Sequence, residues 1–142
     1  MITIEEISIG TAWLKAFEQT SKNRGSKKPM SVTFSQAEGV DSFNKATETS
    51  PNYAIPYYNR AFIKMKLKDY NGAIIDFNKA IELNPKSVFS YYYINAYHNR
   101  ANSKYLLKDY KGAIIDFSKA IEHKPKFATA YYKRGICKIN LK

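Results

Sequence analysis

The chain has 142 residues, 44% hydrophobic and 25% charged, a length for one domain or a short repeat array and a balance unlike that of a disordered chain. Its net charge of +11 comes almost wholly from lysine, so its field attracts acidic peptides, nucleic acid or anionic surfaces without specifying a fold. The lone Cys137 excludes a disulfide within the chain.

Ile4 to Thr20, with Trp13, is predicted to be helical. The first residues carry Glu5 and Glu6, where a secretory leader needs a basic start and a long apolar run. No apolar stretch nears the roughly 20 residues needed to cross a bilayer. The chain is therefore expected to be soluble and cytoplasmic, with no membrane partner. Ser21 to Pro29, with Lys22, Arg24, Lys27 and Lys28, reads as a basic, mobile loop.

The next two segments are copies of each other. Tyr57 to Pro85 and Tyr97 to Pro125 align without a gap and are identical at about 20 of 29 positions, which marks a repeat architecture. In the second half of the first copy, Tyr70, Ala73, Ile74, Phe77, Ala80 and Ile81 recur at three- and four-residue steps, the apolar stripe of an amphipathic helix. Asp69 stands where a carboxylate accepts the unpaired N–H groups of a first turn. Pro85 follows and cannot extend the helix. The first half carries Tyr57, Ala61, Met65 and Leu67 on a similar stripe, and the short Lys68–Asp69 connection makes the two helices antiparallel. Alanines at 61, 101, 73, 80, 113 and 120 leave room for a neighbouring backbone, and Tyr70, Phe77, Tyr110 and Phe117 fill the spaces between. One such hairpin cannot bury its stripe alone, whereas stacked hairpins share a continuous core.

This pattern resembles the tetratricopeptide repeat (TPR). Tyr57, Ala61, Leu67, Tyr70, Ala73, Phe77, Ala80 and Pro85 match its constrained positions, as do Tyr97, Ala101, Leu107, Tyr110, Ala113, Phe117, Ala120 and Pro125. Gly39, Phe43, Ala46 and Pro51 match the second helix of a preceding repeat, and Tyr131, Gly135 and Leu141 the first helix of a following one. The resemblance implies an all-α fold, a right-handed superhelix of antiparallel helix pairs. Residues 1–142 then form a single domain: 1–52 a divergent N-terminal helix, basic loop and repeat helix, 53–86 a repeat, 87–126 a repeat with an extended first helix, and 127–142 the final helix of a partial repeat. The copies recur every 40 residues, against about 34 in the family. The surplus lies in Lys86 to Tyr97, read as a lengthened first helix capped by Ser87, with a looped insertion as the alternative. Phe89, Tyr91, Tyr92 and Tyr93 are expected to form an aromatic feature beyond the regular stack.

No motif for catalysis stands out, and no catalytic residue, cofactor or metal ligand is assigned. His98 and His123 have no cysteine at metal-ligand spacing. Cys137 reads as a packed helix residue, Gly72 and Gly112 as aids to close helix packing, and Asp76 with Lys79 and Asp116 with Lys119 as surface ion pairs.

In the family the first helices line a concave groove. Carried over by position, the lining is Tyr58, Asn59, Phe62 and Lys66, then His98, Asn99, Asn102 and Tyr105, then Tyr132, Lys133 and Ile136. Amides there suit a peptide backbone, and aromatics its side chains. Some family members clamp the terminal carboxylate of chaperone tails ending in EEVD with lysine, asparagine, asparagine, lysine and arginine. The matching positions here are Tyr58, Phe62, Asn99, Thr129 and Lys133. Only Asn99 fits and Lys133 partly replaces the arginine, which argues against that clamp. The expected function is a protein–protein interaction scaffold holding a protein or peptide, acidic given the charge. The alternatives are a binder of nucleic acid or another polyanion through the basic surface, and a self-associating module joined through open solenoid ends into a homo-oligomer.

Overall fold

The structure, a computed structural model, describes residues 29–83 and 90–142. The expected helix over 4–20, most of the basic loop, Pro85, the Ser87 cap and Phe89 lie outside the described residues. Six helices follow in order: α1 (Pro29–Thr49), α2 (Ala54–Lys66), α3 (Tyr70–Leu83), α4 (Ser90–Leu106), α5 (Tyr110–His123) and α6 (Ala128–Asn140). No strand occurs among the described residues. The molecule is an all-α solenoid in which α2 pairs with α3 and α4 with α5, while α3 against α4 and α5 against α6 join successive hairpins. The last residue of the predicted loop, Pro29, already opens α1, where a missing N–H costs nothing.

Both hairpin turns are built alike. Lys68 (φ 66°) and Lys108 (φ 63°) are left-handed. Lys68 N–H donates to the Met65 carbonyl at 3.0 Å and Asp69 N–H to that of Lys64 at 2.9 Å, the paired bonds that satisfy the end of a helix before a sharp reversal. Asp69 and Asp109 then cap α3 and α5, accepting from the N–H of Gly72 at 3.0 Å and Gly112 at 2.9 Å. A Cβ on either glycine would run into the capping carboxylate. These glycines make room for a cap, not for a neighbouring helix as expected.

The core is two linked clusters. Tyr58, Ala61, Ala73, Phe77, Ala80 and Ala96 form the first. Ala101, Ala113, Phe117, Ala130 and Cys137 form the second. Each includes an alanine from the next hairpin, Ala96 or Ala130, so neither closes without its neighbour. Cys137 is fully buried, as expected of a packed residue, and burial pushes its thiol pKa up. The predicted stripe on α2 omits Ile63, which is fully buried, and includes Leu67, which is exposed at the turn.

The 40-residue spacing is absorbed partly in helix: α4 begins at Ser90, four positions ahead of the residue that matches Ala54. The added aromatics do not stand outside the stack as expected. Tyr92 packs edge-on against Tyr58 at 5.2 Å and so seals the first cluster. Tyr93 packs against Tyr97 at 5.0 Å and His123 at 5.2 Å.

Candidate peptide-binding face

Two ionic locks hold the first helices in place. Arg60 grips Asp76 through Nε at 2.8 Å and Nη2 at 2.7 Å, and Lys64 adds a contact at 3.0 Å. Arg100 and Lys104 repeat this on Asp116 at 2.8, 2.6 and 2.9 Å. Asp76 and Asp116 are only 3% and 1% exposed. The expected surface pairs with Lys79 and Lys119 are therefore corrected: those lysines reach Glu82 and Glu122 instead, at 3.3 and 3.0 Å. The free Nη1 of each arginine reaches the preceding hairpin, Asn44 at 2.9 Å for Arg60 and Asn78 at 2.7 Å for Arg100. Sequence reasoning passed over this lock, although the sixteen-residue separation of arginine and aspartate recurs in both copies.

The same helix backbones carry the predicted groove residues, at two depths. Tyr58, Asn59 and Asn99 are buried. Tyr58 is 3% exposed, which corrects its expected place off the packed stripe: Tyr92 and Phe77 enclose its ring. Its hydroxyl accepts from Asn99 Nδ2 at 3.2 Å, tying α2 to α4, and burial raises its pKa. Tyr105 is half-buried and packs on the second cluster against Tyr110.

The remaining residues form a shallower layer across three helices. Lys66 Nζ lies 5.2 Å from the Phe62 ring centroid. Lys133 Nζ donates to Asn102 Oδ1 at 2.6 Å, and Asn102 Nδ2 faces His98 Nδ1 at 3.4 Å. Burial, then the charge of Lys66, lowers the pKa of Lys133. His98 stacks on Phe127 at 4.6 Å and meets Phe117 edge-on at 5.5 Å. Burial, with Lys133 beside it, lowers its pKa to about 4, so the imidazole is neutral at pH 7. Its Nε2 is buried without a hydrogen-bond partner. Ile136 is half-buried and Tyr132 stands 69% exposed. The face thus presents the rings of Phe62 and Tyr132, two amines and an amide, groups able to hydrogen-bond carboxylates and peptide groups.

Among the described residues there is no cluster of three metal-ligating side chains, and no helix is long and apolar enough to cross a membrane.

Paired helices in register with tandem sequence copies define a helical-repeat protein. The family model described as tetratricopeptide repeat matches residues 54–87 and 94–127, and the chain belongs to that family. Of the six residues between the two matches, the last four, Ser90 to Tyr93, form the extension of α4. Solved structures share the fold. The first TPR of Spaghetti (RPAP3), bound to the HSP90 peptide SRMEEVD, is 23% identical over 98% of both chains with a TM-score of 0.69. The Arabidopsis OM64 TPR domain is 21% identical, over 92% of this chain and 95% of that one, with a TM-score of 0.66. A thermophilic TPR protein from Thermus thermophilus is 14% identical, over 92% of this chain and 61% of that one, with a TM-score of 0.68.

Proposed function

We propose that this protein is an interaction scaffold whose first-helix face holds an extended acidic peptide of a partner protein. The observation that carries the reading is the convergence of Phe62 and Lys66 from α2, Asn102 from α4 and Lys133 from α6 on one layer. Tyr58, Asn59 and Asn99 are buried on the same helices and His98 meets Asn102, and the proposed lining is completed by Tyr105, Tyr132 and Ile136. The two amines repel each other, and a carboxylate between them would relieve that repulsion. The neighbour structure that holds SRMEEVD supports a peptide-binding role. The clamp positions carried over from the family do not support that particular tail, because Tyr58 and Phe62 stand where amine and amide are required.

A fluorescence titration with a labelled peptide rich in glutamate, against its glutamine counterpart, tests the reading. Lys66→Glu with Lys133→Glu is expected to weaken binding of the acidic peptide by about tenfold or more, with helicity unchanged. Equal binding of both peptides, or no effect of the substitutions, would sink it. Titration of single-stranded nucleic acid across a salt series covers the polyanion alternative, for which affinity falls steeply with salt.

A further inference from the structure

Successive first helices meet differently at their two junctions. Between α4 and α6, Phe127 stands directly ahead of α6 and stacks on the His98 ring at 4.6 Å. Tyr93 and Tyr58 hold the matching places between α2 and α4: Tyr93 directly precedes the first repeat position, Ile94, as Phe127 precedes Ala128, and Tyr58 is the counterpart of His98. The Tyr93 ring packs instead against Tyr97 at 5.0 Å and His123 at 5.2 Å. Tyr92, from the extension of α4, meets Tyr58 edge-on at 5.2 Å. An edge covers less of a ring than a stacked face does. What remains is a narrow notch open to solvent, about 220 Å³ of space lined by Ala54, Ile55, Tyr58, Ala80, Tyr92 and Tyr93. The lining is mainly apolar. The hydroxyls of Tyr58 and Tyr93 are engaged with Asn99 and Tyr97, and the alanines and Ile55 bring only carbon side chains.

We infer that this notch takes an aliphatic side chain of the partner peptide, which is then read at two points: an apolar anchor here and an acidic residue at Lys66 and Lys133. The inference rests on the peptide-binding reading above. The occupant follows from the place itself. At the α4–α6 junction the chain covers the equivalent ring with the hydrocarbon ring of Phe127. Between α2 and α4 the edge of Tyr92 takes part of that space, so the room left suits the branched tip of a valine, leucine or isoleucine. The notch is also in line with the amines. Ile55 and Lys66 are eleven residues apart, close to three helical turns, so they share one face of α2 with Phe62 between them. That separation is about 16 Å along the helix, which an extended chain at about 3.3 Å per residue spans in about five residues. The added turn of α4 thereby sets a spacing, an aliphatic residue about five positions from an acidic one.

The test uses the full chain and three labelled peptides in fluorescence titrations. The first has a central pair of glutamates and a leucine about five positions to either side. The second carries serine for each leucine, and the third has the leucines moved next to the glutamates. The first peptide is expected to bind about tenfold tighter than the second, and the third no better than the second. Ala54→Leu fills the notch from the half-buried first residue of α2, and should bring the first two peptides within about twofold of each other. A measurement on the parent protein needs no substitution: the Ile55 methyl resonances should shift with the leucine peptide and not with the serine peptide. Lys66→Glu with Lys133→Glu should weaken both peptides alike. Equal binding of leucine and serine peptides, still lost in the lysine variant, overturns the notch and leaves the acidic-peptide reading standing. A leucine advantage that survives Ala54→Leu, or that leaves Ile55 unmoved, overturns it as well. Binding of neither peptide overturns both.

Discussion

The two complete hairpins differ mostly on their first helices. Asp69 and Asp109, Arg60 and Arg100, Asp76 and Asp116, Phe77 and Phe117 are matched in identity and in contact. Five of the substituted pairs fall on the first helices, Tyr58 for His98, Phe62 for Asn102, Ile63 for Ser103, Met65 for Tyr105 and Lys66 for Leu106. Most residues that build the stack repeat, because each hairpin must present a similar surface to its neighbours, although the fully buried pair Ile63 and Ser103 does not. Several residues on the first-helix face do not, which under the proposed peptide-binding function would give each level of the groove different chemistry. The contrast between Tyr58 and His98 shows the price of that freedom. At the same position the phenol has its hydrogen bond from Asn99, while the imidazole has a buried nitrogen without a partner.

The largest test of the matched part is to break the locks. Asp76→Asn and Asp116→Asn each leave an arginine and a lysine facing a neutral amide. Loss of one member of a buried ion pair costs about 3–5 kcal/mol. Urea denaturation should show large and similar losses for both variants, and a tolerated Asp116→Asn would mean that the two hairpins are not mechanical equivalents.

The unmatched pair gives a pH test. His98 is held neutral in the fold, with its pKa lowered from 6.5 to about 4. Between these values the unfolded chain binds more protons, so stability is complete above pH 6.5 and falls as the pH drops toward 4. The loss from this group is at most about 3 kcal/mol. The groups around it are Lys133, Lys124, Asn99, Asn102, Phe117 and Phe127, of which the Asn99 hydrogen bond works against the lowering. His98→Phe should remove this component of the pH dependence, seen as the difference between the two proteins' unfolding midpoints across that range. An unchanged difference would place the imidazole in contact with water.

The smallest effect sharpens the equivalence of the turns. Lys68→Gly and Lys108→Gly each place a residue without a Cβ at the left-handed position, and each should stabilise by about 1 kcal/mol. Thermal unfolding should show equal gains.

Helix order, antiparallel pairing, the aspartate caps and the small residues of the seam were legible because they depend on local spacing. The locks were not, because Asp76 and Arg60 meet across the hairpin, and on its own helix the nearest cation three residues on is Lys79. The burial of Tyr58 was hidden for a similar reason. It depends on Tyr92, a residue of the inserted stretch, whose direction no repeat position predicts. The groove assignment put Asn102 and Lys133 on successive first helices, and the two side chains meet, but it gave no sign that Asn59 and Asn99 are buried.

Each arginine of the series holds a residue of the preceding hairpin: Asn44, Asn78 and Ser118 for Arg60, Arg100 and Arg134. Peeling away a terminal hairpin therefore strips a hydrogen bond from a guanidinium in the unit left behind or in the unit removed. Strong coupling between adjacent units suppresses partly frayed species, so the molecule should melt as a whole, in a single sharp step, despite its modular construction.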